Sequence, residues 1–169
     1  MAGSASRDDL VIAGDSVLSR RLATRGDLRQ VLEAVRGRRG SAVARAALPQ
    51  LRDRVDSAPE SLVRLRVVDG GLPQPSVNPD LFDEAGRWIG RPDLAFETYQ
   101  VALQYEGDVH RTDPRRWRAD IGRDGVLQDH GWEIIRVTAA DLRDPEQLCR
   151  RIRARLQRQA ERLGLPMPF

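Results

Sequence analysis

Arg91-Pro92-Asp93-Leu94-Ala95-Phe96, followed by Val101-Ala102-Leu103-Gln104-Tyr105-Glu106-Gly107, is the stretch on which the reading of this chain turns. The second segment has the composition of a strand, and alternate side chains of a strand share a face. Gln104 and Glu106 then point one way, and Val101, Leu103 and Tyr105 the other. If the segment around Asp93 is the neighbouring strand, three oxygen-bearing side chains converge on one point. Carboxylate and amide oxygens suit a hard divalent cation, magnesium (Mg2+) or manganese (Mn2+). Asp93 adjoins the apolar run Leu94-Ala95-Phe96, where a carboxylate is costly unless its charge is compensated. A metal ion would compensate it; so would a salt bridge to one of the many arginines.

Upstream of that stretch, Ser57 opens a helix with Pro59 in its first turn and Glu60 three residues after the cap, and Gly70-Gly71 ends it. Three strands are expected next: Ser76 to Phe82, then Arg87 to Phe96 beyond a turn at Asp83-Glu84-Ala85-Gly86, then Gln100 to Glu106, forming an antiparallel meander. Downstream, Asp113 and Pro114 cap and open a helix that closes near Gly131, and Trp132 to Val137 reads as a strand. A last helix begins near Asp144-Pro145, with Leu148, Ile152 and Leu156 at four-residue steps under an arginine-rich outer face. The order is αβββαβα. The front of the chain reads as helical: Leu28, Val31, Leu32 and Val35 recur at helical spacing, a second helix begins near Ser41 and is bent or stopped around Pro49, and residues before about Asp15 look loosely ordered. Residues 1–55 are read as a helical extension and 56–169 as the main domain.

Ser57-x-x-Glu60-Ser61-x-x-Arg64, Gly71-Leu72-Pro73-x-Pro75, Asp93-Leu94-Ala95, Gln104-Tyr105-Glu106-Gly107-x-x-His110, Asp120-x-x-Arg123 and Gly131-Trp132-x-x-x-Arg136-Val137 come in one order. In that order they resemble the PD-(D/E)XK nuclease superfamily, and within it the actinobacterial endonuclease-like domain related to very-short-patch-repair (Vsr-like) endonucleases. The match covers roughly Ser57 to Arg155. The resemblance implies a restriction-endonuclease-like α/β fold with a mixed sheet. It also implies phosphodiester hydrolysis on DNA with magnesium or manganese, the metal being held by Asp93, Gln104 and Glu106. In the resembling proteins the front region lies between an upstream DNA-binding helical module and the nuclease domain, so this chain looks like a short form or a fragment.

Two departures from the family pattern bear on activity. Gln104 stands where the resembling domains usually carry Glu, which supplies an amide oxygen without the charge; the alternative is a remnant in a site that no longer cuts. Glu106 stands where the formal motif has Lys, so the attacking hydroxide must come from metal-bound water or a nearby base. His110 is the natural candidate for proton transfer or phosphate placement, against a bland reading as a histidine at a strand end. Glu60 is explained by helix capping alone, yet the family places there an acid that reaches the metal site through water. Arg64 is read as pairing with Glu60 or touching phosphate, and Arg123 as a phosphate contact or a surface partner of Asp120. Trp117 and Trp132 read as core, and His130 as incidental.

The bulk properties agree with a single compact domain carrying a small annex, and leave no room for a second catalytic domain in 169 residues. All 28 basic residues are arginine, for a net charge of +3, which fits either coding bias or phosphate binding. One cysteine, Cys149, excludes an internal disulfide and a thiolate zinc site. No apolar run reaches the length of a membrane span and the start lacks an export signal, so a cytoplasmic protein is expected. RNA stays open as a substrate beside DNA. Oligomeric state is open as well, since one site nicks and a double-strand cut usually needs two, as in a homodimer. A catalytically silent nucleic-acid-binding module on the same fold is the rival reading.

Overall fold

The computed structural model describes residues 5–107, 124–167 and 169. His110, Asp113, Pro114, Trp117, Asp120 and Arg123 lie outside the described residues. The chain divides into two compact units, Met1–Leu62 and Val63–Phe169. The division falls seven residues after the one expected at 55/56.

The first unit contains α1 (Arg7–Ser19), α2 (Arg25–Ala34) and α3 (Ser41–Ala47), followed by a 3-10 turn at Leu48–Gln50 that holds Pro49. The expectation of loose order before Asp15 is overturned, because α1 starts at Arg7 behind a complete capping box. The Ser6 hydroxyl accepts from the Asp9 N–H at 3.2 Å while the Asp9 carboxylate accepts from the Ser6 N–H at 3.0 Å. Thr24 and Asp27 repeat the device at the start of α2. Val11, Leu18, Ala47, Leu51 and Val55 form the buried apolar set. Among them lies Asp15, 0% exposed. Its carboxylate accepts from the Arg52 N–H at 2.6 Å and from the Ser61 hydroxyl at 2.7 Å. Ser61 belongs to the first turns of α4 (Ala58–Asp69), so this bond ties them to α1 and carries the first unit on to Leu62.

The second unit is built on a mixed four-stranded sheet in the order β1-β4-β5-β6. Its members are β1 (Ser76–Val77), β4 (Leu94–Phe96), β5 (Val101–Glu106) and β6 (Glu133–Thr138). β1 with β4 and β4 with β5 pair antiparallel; β5 with β6 pairs parallel. A separate hairpin is formed by β2 (Leu81–Phe82) and β3 (Trp88–Gly90). The two long strands expected at 76–82 and 87–96 are therefore each broken, one part going to the sheet and one to the hairpin. Asn78 at φ +44° and Pro79 interrupt the first, and Pro92, which has no N–H to donate, interrupts the second. The expected turn between them is present. Gly86 takes φ +76°, and the Asp83 carboxylate accepts from the N–H groups of Ala85 and Arg87, each at 2.9 Å.

Strand alternation gives the sheet two apolar faces. Leu94, Phe96, Val101, Leu103, Ile135 and Val137 pack with Val63 and Val67 of α4 and with Leu148, Cys149, Ile152 and Leu156 of α7 (Pro145–Leu163). α7 starts as its sequence predicts, with the Asp144 carboxylate accepting from the Gln147 N–H at 3.0 Å and Pro145 in the first turn. On the opposite face, Ala95, Ala102 and Ile134 meet Leu81 and Ile89 of the hairpin, Trp132, and Leu127 of the helix α5 at residues 124–129. The small side chains of Ala95 and Ala102 let these elements lie close to the sheet. A short helix, α6 (Ala139–Arg143), links β6 to α7. Among the described residues no helix is long and apolar enough to cross a membrane.

Candidate functional site

The polar residues of interest stand on the face of the sheet that carries Ala95 and Ala102, where the apolar packing stops. Leu94 pairs with Leu103 and Ala95 with Ala102; continuing that antiparallel register by one residue sets Asp93 opposite Gln104. The placement has a direct mark. One carboxylate oxygen of Asp93 accepts from the backbone N–H of Tyr105 at 2.7 Å, between the two candidate ligands Gln104 and Glu106. Tyr105, alternating away from them, packs against the α4/α7 side of the core. Asp93, Gln104 and Glu106 are all half-buried, so a ligand arriving from solvent can reach them.

The neighbouring strand adds a residue that the sequence did not single out as a ligand. In the parallel register Gln104 pairs with Arg136 of β6, whose side chain shares the face of Gln104 and Glu106. One Nη of Arg136 donates to Glu106, and the other donates to Asp124 Oδ2 at 2.6 Å. Burial works against the charged guanidinium; the hydrogen bonds and charges of Glu106 and Asp124 more than offset it and raise the arginine pKa above its ordinary value. Arg136 is therefore a fixed positive charge between two acids of different exposure.

The donor set bears on whether a metal would fit. Among the described residues no three His, Cys, Asp or Glu side chains are grouped to hold a metal ion. The oxygen donors that the strand register sets on this face are two carboxylates and one amide, of Asp93, Glu106 and Gln104. All-oxygen donors fit magnesium or manganese. Glu106, however, is already bound to Arg136, so a cation using it must displace that guanidinium.

Glu60 is buried and serves its helix: its carboxylate accepts from the Asp56 N–H at 3.0 Å and from the Ser57 hydroxyl at 2.7 Å. The capping reading thus has direct geometry. Arg64, expected at a phosphate, is 1% exposed and is not available to one at the surface. Charged groups of this size are buried only when paired, and spacing alone did not reveal that Arg64 points inward. His110 and Arg123 lie outside the described residues. Trp132 is core, as expected, and His130 is exposed. The Cys149 thiol is buried and donates to the Arg66 carbonyl at 3.4 Å; burial chiefly pushes its pKa up, which makes it a poor nucleophile. Two residues to which the sequence assigned no site role stand beside these ligands: Arg136, legible only as one position of a motif, and Asp124, which carried no local signal.

The chain is similar to two proteins from two strains of Mycobacterium tuberculosis, each 32% identical over 145 residues. The matched segment is 85% of this chain and 53% of each relative, so the chain spans about half the length of the relatives it matches. Both relatives bear the name "uncharacterized protein". No family model matches the chain, and no solved structure gives a significant match.

Proposed function

We propose that the second unit is a metal-dependent DNA endonuclease domain of the PD-(D/E)XK, Vsr-like type, with restriction-endonuclease-like topology, acting in the cytoplasm. The observation that carries this reading is the Asp93 carboxylate resting on the Tyr105 N–H between Gln104 and Glu106. It is favoured also by a sheet whose first three members are antiparallel and whose last is parallel, flanked by α4 and α7. In this reading Asp93, Gln104 and Glu106 hold magnesium or manganese. When bound, such an ion polarises the phosphoryl group and lowers the pKa of bound water.

The chain's own groups have narrower tasks. The Tyr105 N–H holds one oxygen of Asp93 in place, so the ligand enters the reaction already oriented. Gln104 offers an amide oxygen, and Glu106 a second carboxylate once Arg136 lets it go. His110 takes a proton from the attacking water or places the scissile phosphate. The test is incubation of nicked, linear, supercoiled and single-stranded DNA, and of RNA, with magnesium or manganese, comparing the wild type with Asp93→Ala. Cleavage by the wild type and not by the variant is expected; no cleavage by the wild type on any substrate removes the enzymatic reading.

A second reading is favoured by one observation, the ion pair of Arg136 with Glu106. A site whose second carboxylate is neutralised by an arginine and whose third ligand is uncharged resembles a nucleic-acid-binding module that no longer cuts. Calorimetry separates the two: metal binding favours the nuclease, and salt-sensitive DNA binding without metal binding favours the silent module.

A further inference from the structure

The two acids that hold Arg136 are not equivalent. Asp124 has 8% of its side chain exposed and Glu106 has 41%, while Arg136 itself is 40% exposed. An ion pair made in a dry pocket is held firmly, because breaking it would strand a buried charge; an exposed one exchanges readily with solvent and other ions. Asp124 is therefore the anchor of the guanidinium and Glu106 its exchangeable partner. The planar fork of arginine matches both carboxylate and phosphate oxygens, so the Nη group on Glu106 is directed where a phosphate oxygen could replace the carboxylate.

We propose that Arg136 is the guanidinium that takes a backbone phosphate of the nucleic acid at this site, with Asp124 as its fixed anchor and Glu106 as a mask covering it until substrate or cation draws that carboxylate away. The proposal rests on the reading of this face as a nucleic-acid site, but it does not require that the site cut. Gln104, paired with Arg136 across the sheet, has no charge with which to compete for the guanidinium. A glutamate there would hold Arg136 from a second side. The amide at 104 thus keeps one phosphate contact available at the expense of ligand charge.

The test is binding of a fluorescein-labelled DNA duplex in EDTA, followed by anisotropy, for the wild type, Glu106→Gln, Arg136→Gln and the double variant. Glu106→Gln is expected to tighten binding roughly tenfold, the scale of one charge-assisted contact, and to steepen the salt dependence by about one unit. In the Arg136→Gln background the same change is expected to give no gain. A gain of equal size with and without Arg136 would show only the loss of a negative charge and overturn the mask; so would no gain at all. Asp124→Asn, which loosens the anchor, is expected to reduce the gain given by Glu106→Gln, and an undiminished gain would remove Asp124 from the proposal. Thermal melts confirm that each variant is folded, the expected result because position 106 is exposed and the amide introduced at 136 still offers the buried Asp124 carboxylate a hydrogen-bond donor. Cleavage is measured separately: a wild type that never cuts, with the coupling intact, sinks the nuclease and keeps the mask, whereas cutting without coupling does the reverse.

Discussion

Asp93 is given both a structural and a chemical task, and two substitutions at that position separate them. Its carboxylate accepts from the Tyr105 N–H at 2.7 Å in a half-buried setting. Asp93→Ala removes a charge-assisted acceptor and leaves a strand N–H unsatisfied, a loss of about 1.5–3 kcal/mol. Asp93→Asn keeps an oxygen of the same reach, so only the charge assistance disappears and the cost falls to about 1 kcal/mol or less. All three tryptophans lie beyond Leu62, so their fluorescence follows the second unit alone during urea unfolding. With a slope of about 1–3 kcal/mol per molar urea, the alanine variant should lose about 1 M in midpoint and the asparagine variant about half of that or less. Both should lose DNA cleavage alike, because an amide at this position removes the ligand charge as fully as a methyl does. An alanine variant as stable as the wild type would refute the structural half of this reasoning. Full cleavage by the asparagine variant would refute the chemical half.

On the proposed reading Gln104→Glu adds a third negative ligand to Asp93 and Glu106 and should strengthen manganese binding in calorimetry while weakening metal-free DNA binding, as Arg136 acquires another acid beside it; unchanged values for both would count against the assigned geometry. Asp15→Ala strands the Arg52 N–H and the Ser61 hydroxyl inside the first unit and should cost about 3 kcal/mol or more, read as a lowered far-UV circular dichroism melt, with an unchanged melt as the opposing result. Asp141 caps α6, and although burial raises its pKa, the Thr138 N–H and hydroxyl and the charge of Arg151 outweigh that and hold it below the usual carboxylate range. A carboxylate depressed on folding stabilises the protein above its unfolded pKa and ceases to do so as pH falls through the folded value. Asp141→Asn should therefore cost about 1 kcal/mol near neutral pH, and the gap to the wild type should close as the pH drops below roughly 4. A gap that stays constant down to that range would show that the charge contributes nothing.

Local order was legible because it depends on residues a few positions apart. Ser57 with Glu60, Asp144 with Pro145, the turn ending at Gly86, and the opposed faces of Leu103 and Gln104 were each readable in this way. Ser6 with Asp9 carried the same kind of signal, and the loose N-terminus expected in its place shows that a four-residue capping pattern outweighs a polar flank. The broken strands at 76–82 and 87–96 were harder. Both halves of each have strand composition, and Pro79 and Pro92 mark the breaks, but which half joins the main sheet depends on what each can pair with.

Periodicity says on which side of its own element a residue lies, and so by itself the sequence determined that Gln104 and Glu106 share a face and that Asp93 stands beside an apolar strand. It could not say what stands across from them. The parallel register of β5 with β6 brings Arg136 against Gln104 and onto Glu106 from 30 residues away in the chain, and tertiary burial alone makes Asp124 the anchored partner and draws Arg64 inside. These outcomes come from closing the core between distant segments, which maximises buried apolar area and places the charged groups wherever partners can be found.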